Sequence, residues 1–92
     1  MKQPASPRTY RIAVARSARK QLLTIPSHDR QKVQAAIDDL SHTPRPSGVK
    51  KLKGLENYRI RVGYYRILYA IFDNILLVEI VKVGQRGNFY DE

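Results

Sequence analysis

The 92-residue chain contains no cysteine. Disulfides and thiolate metal sites are thereby excluded, and nothing argues for an oxidising compartment. Histidine is almost as scarce: His28 and His42 are the two present, and their separation matches no metal-ligand spacing. No metal or other cofactor is expected. No apolar run approaches the roughly 20 residues that a membrane-spanning helix needs. Met1 to Thr9 holds basic residues and two prolines but no apolar signal core. This segment is expected to be a short flexible arm ahead of a single domain over residues 10–92, and a cytoplasmic protein is the default. A chain this short buries only roughly 60–65 % of its unfolded surface, so it has one core and at most a shallow cleft. A shallow cleft suits a polymeric substrate better than an enclosed small molecule.

Acidic residues are the other shortage. Eight Asp and Glu stand against 17 Lys and Arg, for a net charge of +9. That balance favours a polyanion, usually nucleic acid, through counterion release. The charge is also concentrated. Between Arg45 and Arg66 lie seven basic residues (Arg45, Lys50, Lys51, Lys53, Arg59, Arg61 and Arg66) and one acid, Glu56.

The apolar pattern is expected to give β-α-α-β-β-β, an α+β fold. Tyr10 to Val14 alternates as a strand, with Tyr10, Ile12 and Val14 on one side. Ala15, Ala18, Leu22 and Ile25 recur at helical spacing until Pro26. Ser27 is placed as N-cap of a second helix, about His28 to Leu40, with Val33, Ala36, Ile37 and Leu40 on one stripe. Ser41 to Gly48 is a loop. Lys50 to Leu55 is a short strand candidate, and Tyr58–Val62, Tyr65–Phe72 and Ile75–Val83 are strands, the last broken by Gly84. Packing the helical hairpin on one face of a twisted antiparallel sheet leaves the other face for function.

A two-residue turn at Gly63-Tyr64 sets Arg61 opposite Arg66, with Arg59 two residues along on the same face. Like charges placed opposite are destabilising, so this arrangement is poor for stability and good for holding an anion. Arg66 lies inside an otherwise apolar strand, which calls for a specific partner or task. A second two-residue turn at Asp73-Asn74 pairs Leu68 with Glu79 and Arg66 with Val81, making Glu79 a diagonal neighbour of Arg66. The opposite face carries Ile60, Ile67, Ile71, Leu76, Val78 and Ile80. Tyr58, Tyr65 and Tyr69 fall on that side and are read as core-edge residues.

The run Lys51 to Ile71, KLKGLENYRIRVGYYRILYAI, resembles the central segment of the RelE/ParE toxin superfamily. Val83-Gly84-Gln85-Arg86, followed by Tyr90, is similar to that family's last-strand motif. The resemblance implies a RelE-like fold and the toxin of a type II toxin–antitoxin pair. RelE-type members are mRNA interferases: they act in the ribosomal A site, cleave mRNA through its own 2′-hydroxyl and so inhibit translation. The resemblance thus implies a ribosome-dependent endoribonuclease whose partners are the ribosome, mRNA and a RelB-like antitoxin with an acidic helical segment. It assigns catalytic roles to Arg59, Arg61, Arg66, Arg86 and Tyr90. It places Lys51 and Lys53 against the message or ribosomal RNA, and Arg45 and Lys50, from the same basic run, are expected to bind there too. Two positions depart from the family pattern. Arg59 stands where some members have lysine, and Gln85 where many have histidine. Arginine stays protonated and glutamine carries no exchangeable charge, so electrostatics and substrate alignment are expected to carry most of the catalysis. Two other readings follow from the same residues: a ParE-type inhibitor of DNA gyrase, and a non-catalytic basic RNA-binding module.

Overall fold

The computed structural model describes residues 9–52 and 57–85. Lys53, Glu56, Arg86, Tyr90 and all but Thr9 of the expected N-terminal arm lie outside them. The described elements are β1 (Arg11–Val14), α1 (Arg16–Leu23), α2 (Ser27–Asp39), β2 (Lys50–Lys51), β3 (Asn57–Val62), β4 (Tyr65–Phe72) and β5 (Leu77–Gln85). The strands form one sheet in the order β1-β5-β4-β3-β2.

The helical hairpin packs on one face, as its apolar stripes require. α1 lies against β5, and α2 lies over β3. Ala18, Leu22, Val33, Ile37 and Leu40 close a core with Ile60, Ile67, Tyr69, Ile71, Val78, Ile80 and Val83. Each fully buried aliphatic side chain contributes about 1.5–3 kcal/mol. Ser27 does not cap α2. Pro26 occupies the cap position with an extended ψ of 145°, and no side chain caps the helix. The Pro26 carbonyl instead accepts the N–H of Arg30 at 2.8 Å.

The sheet is mixed rather than wholly antiparallel. Three antiparallel steps from β2 bring β5 back beside β1, running in the same direction. Arg11 N–H donates to the Leu76 carbonyl at 2.8 Å and Ala15 N–H to Ile80 at 2.9 Å, anchoring both ends of the parallel pair.

The hairpin between β3 and β4 has the expected register: Val62 faces Tyr65, Arg61 faces Arg66, and Arg59 faces Leu68. Gly63 sits at φ 61°. A left-handed first residue followed by an ordinary one is a type II′ turn, which matches the twist of its strands.

The next connection is longer than two residues. Asp73–Ile75 form a single 3₁₀ turn, and Leu76 follows in the left-handed region at φ 51°. Phe72 therefore faces Leu77, and Ala70 faces Glu79. A second irregularity follows. Tyr69 faces Ile80 and Leu68 faces Lys82, so Val81 is the extra residue of a β-bulge. Past the bulge the alternation inverts, and Val83, with 1 % of its surface exposed, enters the core. Gly84 does not break β5. It continues the strand opposite Arg66, and Gln85 faces Tyr65.

Candidate nucleic-acid interface

Residues facing one another across adjacent strands share a side of the sheet. The register thus writes out the face turned away from the helices. One row runs Lys50, Arg59, Leu68, Lys82, and the next runs Arg61, Arg66, Gly84. Five cations from four strands occupy two neighbouring rows. Arg61 is exposed and Arg66 is half-buried with its Nε atom inaccessible. Arg59 is only 7 % exposed, so this face is not uniformly open to solvent. The described acid on this side, Glu79, sits opposite Ala70 rather than diagonal to Arg66. That is four residues along β4 from Arg66, roughly 13 Å at the usual rise per strand residue. Glu79 therefore does not orient Arg66; the longer turn alone moves it two residues further along β4, since the bulge lies beyond it.

Lys50 joins the arginine face because it is the register partner of Arg59. Lys51 pairs with Tyr58 and so belongs to the opposite side. Lys53, Arg86 and Tyr90 fall outside the described residues. Lys82 was not expected here. A regular strand after a two-residue turn would have pointed it toward the helices.

Arg45 is placed elsewhere. Its Nη2 meets Asp73 Oδ2 at 2.8 Å, its Nη1 donates to Asp73 Oδ1 at 3.2 Å, and its Nε donates to the Tyr58 hydroxyl at 3.2 Å. The guanidinium also lies 5.2 Å from the Tyr58 ring centroid. These contacts, the Asp73 hydrogen bond foremost, hold Arg45 more firmly protonated than usual. The Tyr10 hydroxyl donates to the same Asp73 Oδ1 at 2.6 Å. Arg45 thus ties the loop after α2 to the β4–β5 turn, at the end of β4 remote from Arg66. The tyrosines behave as core-edge residues: Tyr58 stacks on Tyr69 with centroids 5.9 Å apart, and the Tyr69 hydroxyl donates to the Pro44 carbonyl at 2.7 Å. Burial pushes the Tyr69 phenol above its ordinary range.

A groove of about 830 Å³ runs beside β3. Arg59, Arg61 and Lys50 line it from the sheet, Leu40 from just beyond α2, and His42 and Ser47 from the following loop. Among the described residues β2 reaches only Tyr58 and Arg59, so no strand covers β3 at Ile60–Val62. His42 was not singled out from sequence, because a lone histidine in a loop carries no periodic or spacing signal.

Comparison with known proteins agrees with this architecture. Residues 12–90 match the family model of the ParE toxin of type II toxin–antitoxin systems. Toxin RelE3 of Methanocaldococcus jannaschii is 29% identical over 86 residues, covering 88% of this chain and 96% of that protein. Among solved structures, the archaeal RelE–RelB complex from Pyrococcus horikoshii superposes with a TM-score of 0.78 at 29% identity, covering 88% of this chain and 99% of the matched chain. The RelBE2 toxin–antitoxin complex from Mycobacterium tuberculosis gives 0.74 at 31% identity, covering 85% and 99%. A family match over most of the chain, on a sheet whose one face gathers cations, establishes that this protein belongs to the ParE toxin family of type II toxin–antitoxin systems, within the RelE/ParE superfamily.

Proposed function

We propose that this toxin is a ribosome-dependent endoribonuclease that cuts mRNA in the A site. The observation that carries the reading is Arg61 facing Arg66 across β3 and β4. That juxtaposition opposes stability and suits a phosphate. In the reaction the 2′-oxygen of the message bonds to the adjacent phosphorus while the bond to the 5′-oxygen breaks. The 2′-hydroxyl loses its proton and the departing 5′-oxygen gains one, leaving a 2′,3′-cyclic phosphate and a 5′-hydroxyl. Negative charge grows on the equatorial oxygens, where the Arg61 and Arg66 guanidiniums stabilise it, bidentately where geometry permits. Arg59 adds positive potential from a buried position. By the family resemblance, Arg86 serves the leaving oxygen, and Tyr90 contacts a base or the 2′-hydroxyl.

A cognate antitoxin is part of the same reading. The Pyrococcus and Mycobacterium proteins are each described in complex with a RelB-type partner. A net charge of +9 favours a partner segment rich in acids.

The decisive experiment maps message 5′ ends after incubation with purified ribosomes. Cuts in register with codons, absent without ribosomes and lost in Arg66→Ala, are the expected result. The match to the ParE model favours a second reading, inhibition of DNA gyrase. DNA damage on induction with the message left intact would select it. RNA binding with neither effect would leave a non-catalytic basic module.

A further inference from the structure

Lys82 belongs to none of the motifs that carry the family likeness, yet it shares the face of Arg61 and Arg66. We infer that Lys82 is an RNA-backbone residue that grips a phosphate neighbouring the one held by Arg61 and Arg66. The inference rests on the proposed function for the identity of the polyanion.

The placement follows from the bulge. Without Val81 as an extra residue, Lys82 would share the side of Val78 and Ile80, both fully buried beneath the helices. With it, Lys82 faces Leu68 on the arginine side. Two effects hold it there. Val83 fills the core one residue later, and its backbone N–H is taken up by Gln21 Oε1 of α1 at 2.8 Å. The lysine also borders a second cleft, of about 360 Å³, lined by Gln21, Thr24, Tyr65, Gly84 and Gln85. It is half-buried.

The geometry separates Lys82 from the arginine pair by a definite step. It lies one strand across from Arg66's strand and one row away, with spacings of roughly 4.8 Å between strands and roughly 7 Å between rows. The row Lys50, Arg59, Leu68, Lys82 spans three strand spacings, roughly 14 Å. Leu68 stands between Lys82 and Arg59, which are two strand spacings apart. Such a width is too great for a single phosphate and suits consecutive phosphates of an extended strand crossing the sheet. An ammonium on a flexible stem acts as a point charge and fits backbone contact, whereas the planar guanidiniums suit the reacting phosphate.

The test uses the whole toxin and an uncleavable single-stranded RNA carrying 2′-O-methyl groups, with binding measured across a salt series. Lys82→Gln should weaken binding and reduce the slope of log affinity against log salt by about 0.7, the share of one contact to single-stranded nucleic acid. Lys82→Arg should restore both. In ribosome-dependent cleavage Lys82→Gln should raise the half-saturating concentration and leave the maximal rate within about twofold, the signature of lost uniform binding. Thermal melting checks that each variant is folded. An unchanged salt slope in folded Lys82→Gln overturns the inference. So does a fall in maximal rate that Lys82→Arg fails to rescue, since that would mark proton transfer. Arg66→Ala, run in parallel, keeps the two claims apart: loss of cleavage there with an unchanged Lys82→Gln slope ends this inference alone. Full cleavage by Arg66→Ala ends the nuclease reading, while the slope still decides whether Lys82 meets RNA.

Discussion

The side-chain oxygen of Gln21, on α1, accepts the backbone N–H of Val83, on β5, at 2.8 Å. β1 pairs with β5 only as far as Ile80, so the helix supplies by side chain what a neighbouring strand would otherwise give. Gln21→Leu should cost about 1–3 kcal/mol, because a partly buried N–H loses its acceptor. Gln21→Glu retains an oxygen at that place and should recover most of the loss. Chemical denaturation of both variants checks this. Equal destabilisation of the two would show that packing, not the hydrogen bond, secures the bulge.

Arg61 and Arg66 should separate activity from stability. Arg61 is exposed and faces a like charge. Relieving that repulsion is worth about 0.2–1 kcal/mol. Arg61→Thr keeps a strand-forming residue, so its melting temperature should hold or rise. Cleavage should fall by about 10²–10³-fold, as for removal of one transition-state donor. A variant that lost stability in step with activity would assign Arg61 a structural role instead.

Arg45 was expected beside the message, but its ion pair with Asp73 places it in the fold's scaffold. Arg45→Ala should leave the salt slope of RNA binding unchanged. Its stability cost should be small, about 0–1 kcal/mol for a pair this exposed, with some further loss of packing on Tyr58. A reduced salt slope would return Arg45 to the RNA site.

Tyr69 gives the protein an alkaline limit. Burial raises its phenol above the ordinary value near 10. In the unfolded chain the phenol ionises above about pH 10, while the folded chain still holds the proton. The unfolded state then binds fewer protons, so stability falls as pH rises past that value. Below it the contribution is fully present. Tyr69→Phe loses the hydrogen bond to the Pro44 carbonyl, about 1 kcal/mol at neutral pH. Its stability should decline less steeply between pH 10 and 11 than that of the parent. Parallel curves for the two proteins would show that other groups set the alkaline limit.

The first hairpin was legible because every local rule agreed. Gly63 supplies the left-handed turn residue, and Tyr58 to Val62 alternates without a fault, so the Arg61–Arg66 register followed from sequence. The second connection obeyed no such rule. Asp73 is held by Tyr10 and Arg45, partners distant in sequence, and the turn lengthens with Leu76 in a conformation that carries no glycine signal. One trace of the bulge was present. Glu79 and Lys82 are three apart, so a regular strand would place them on opposite faces and bury one charge. Val81 resolves that conflict by setting both on the outer face. The parallel pairing of β1 was hidden for a different reason: strand direction depends on the path of the whole chain, and alternation within four residues does not encode it.

The brevity of β2 has a consequence for the protein before it meets any companion. Backbone donors and acceptors of Ile60 to Val62 line a sheet margin that no described strand covers. Margins of this kind recruit other chains into edge-to-edge aggregates unless charge repels them. Arg61 stands exposed on that stretch, so a cation proposed to hold RNA also guards the margin against self-pairing. Neutralising it should make the freshly synthesised toxin more prone to self-association, and sedimentation of the Arg61→Thr variant would reveal it.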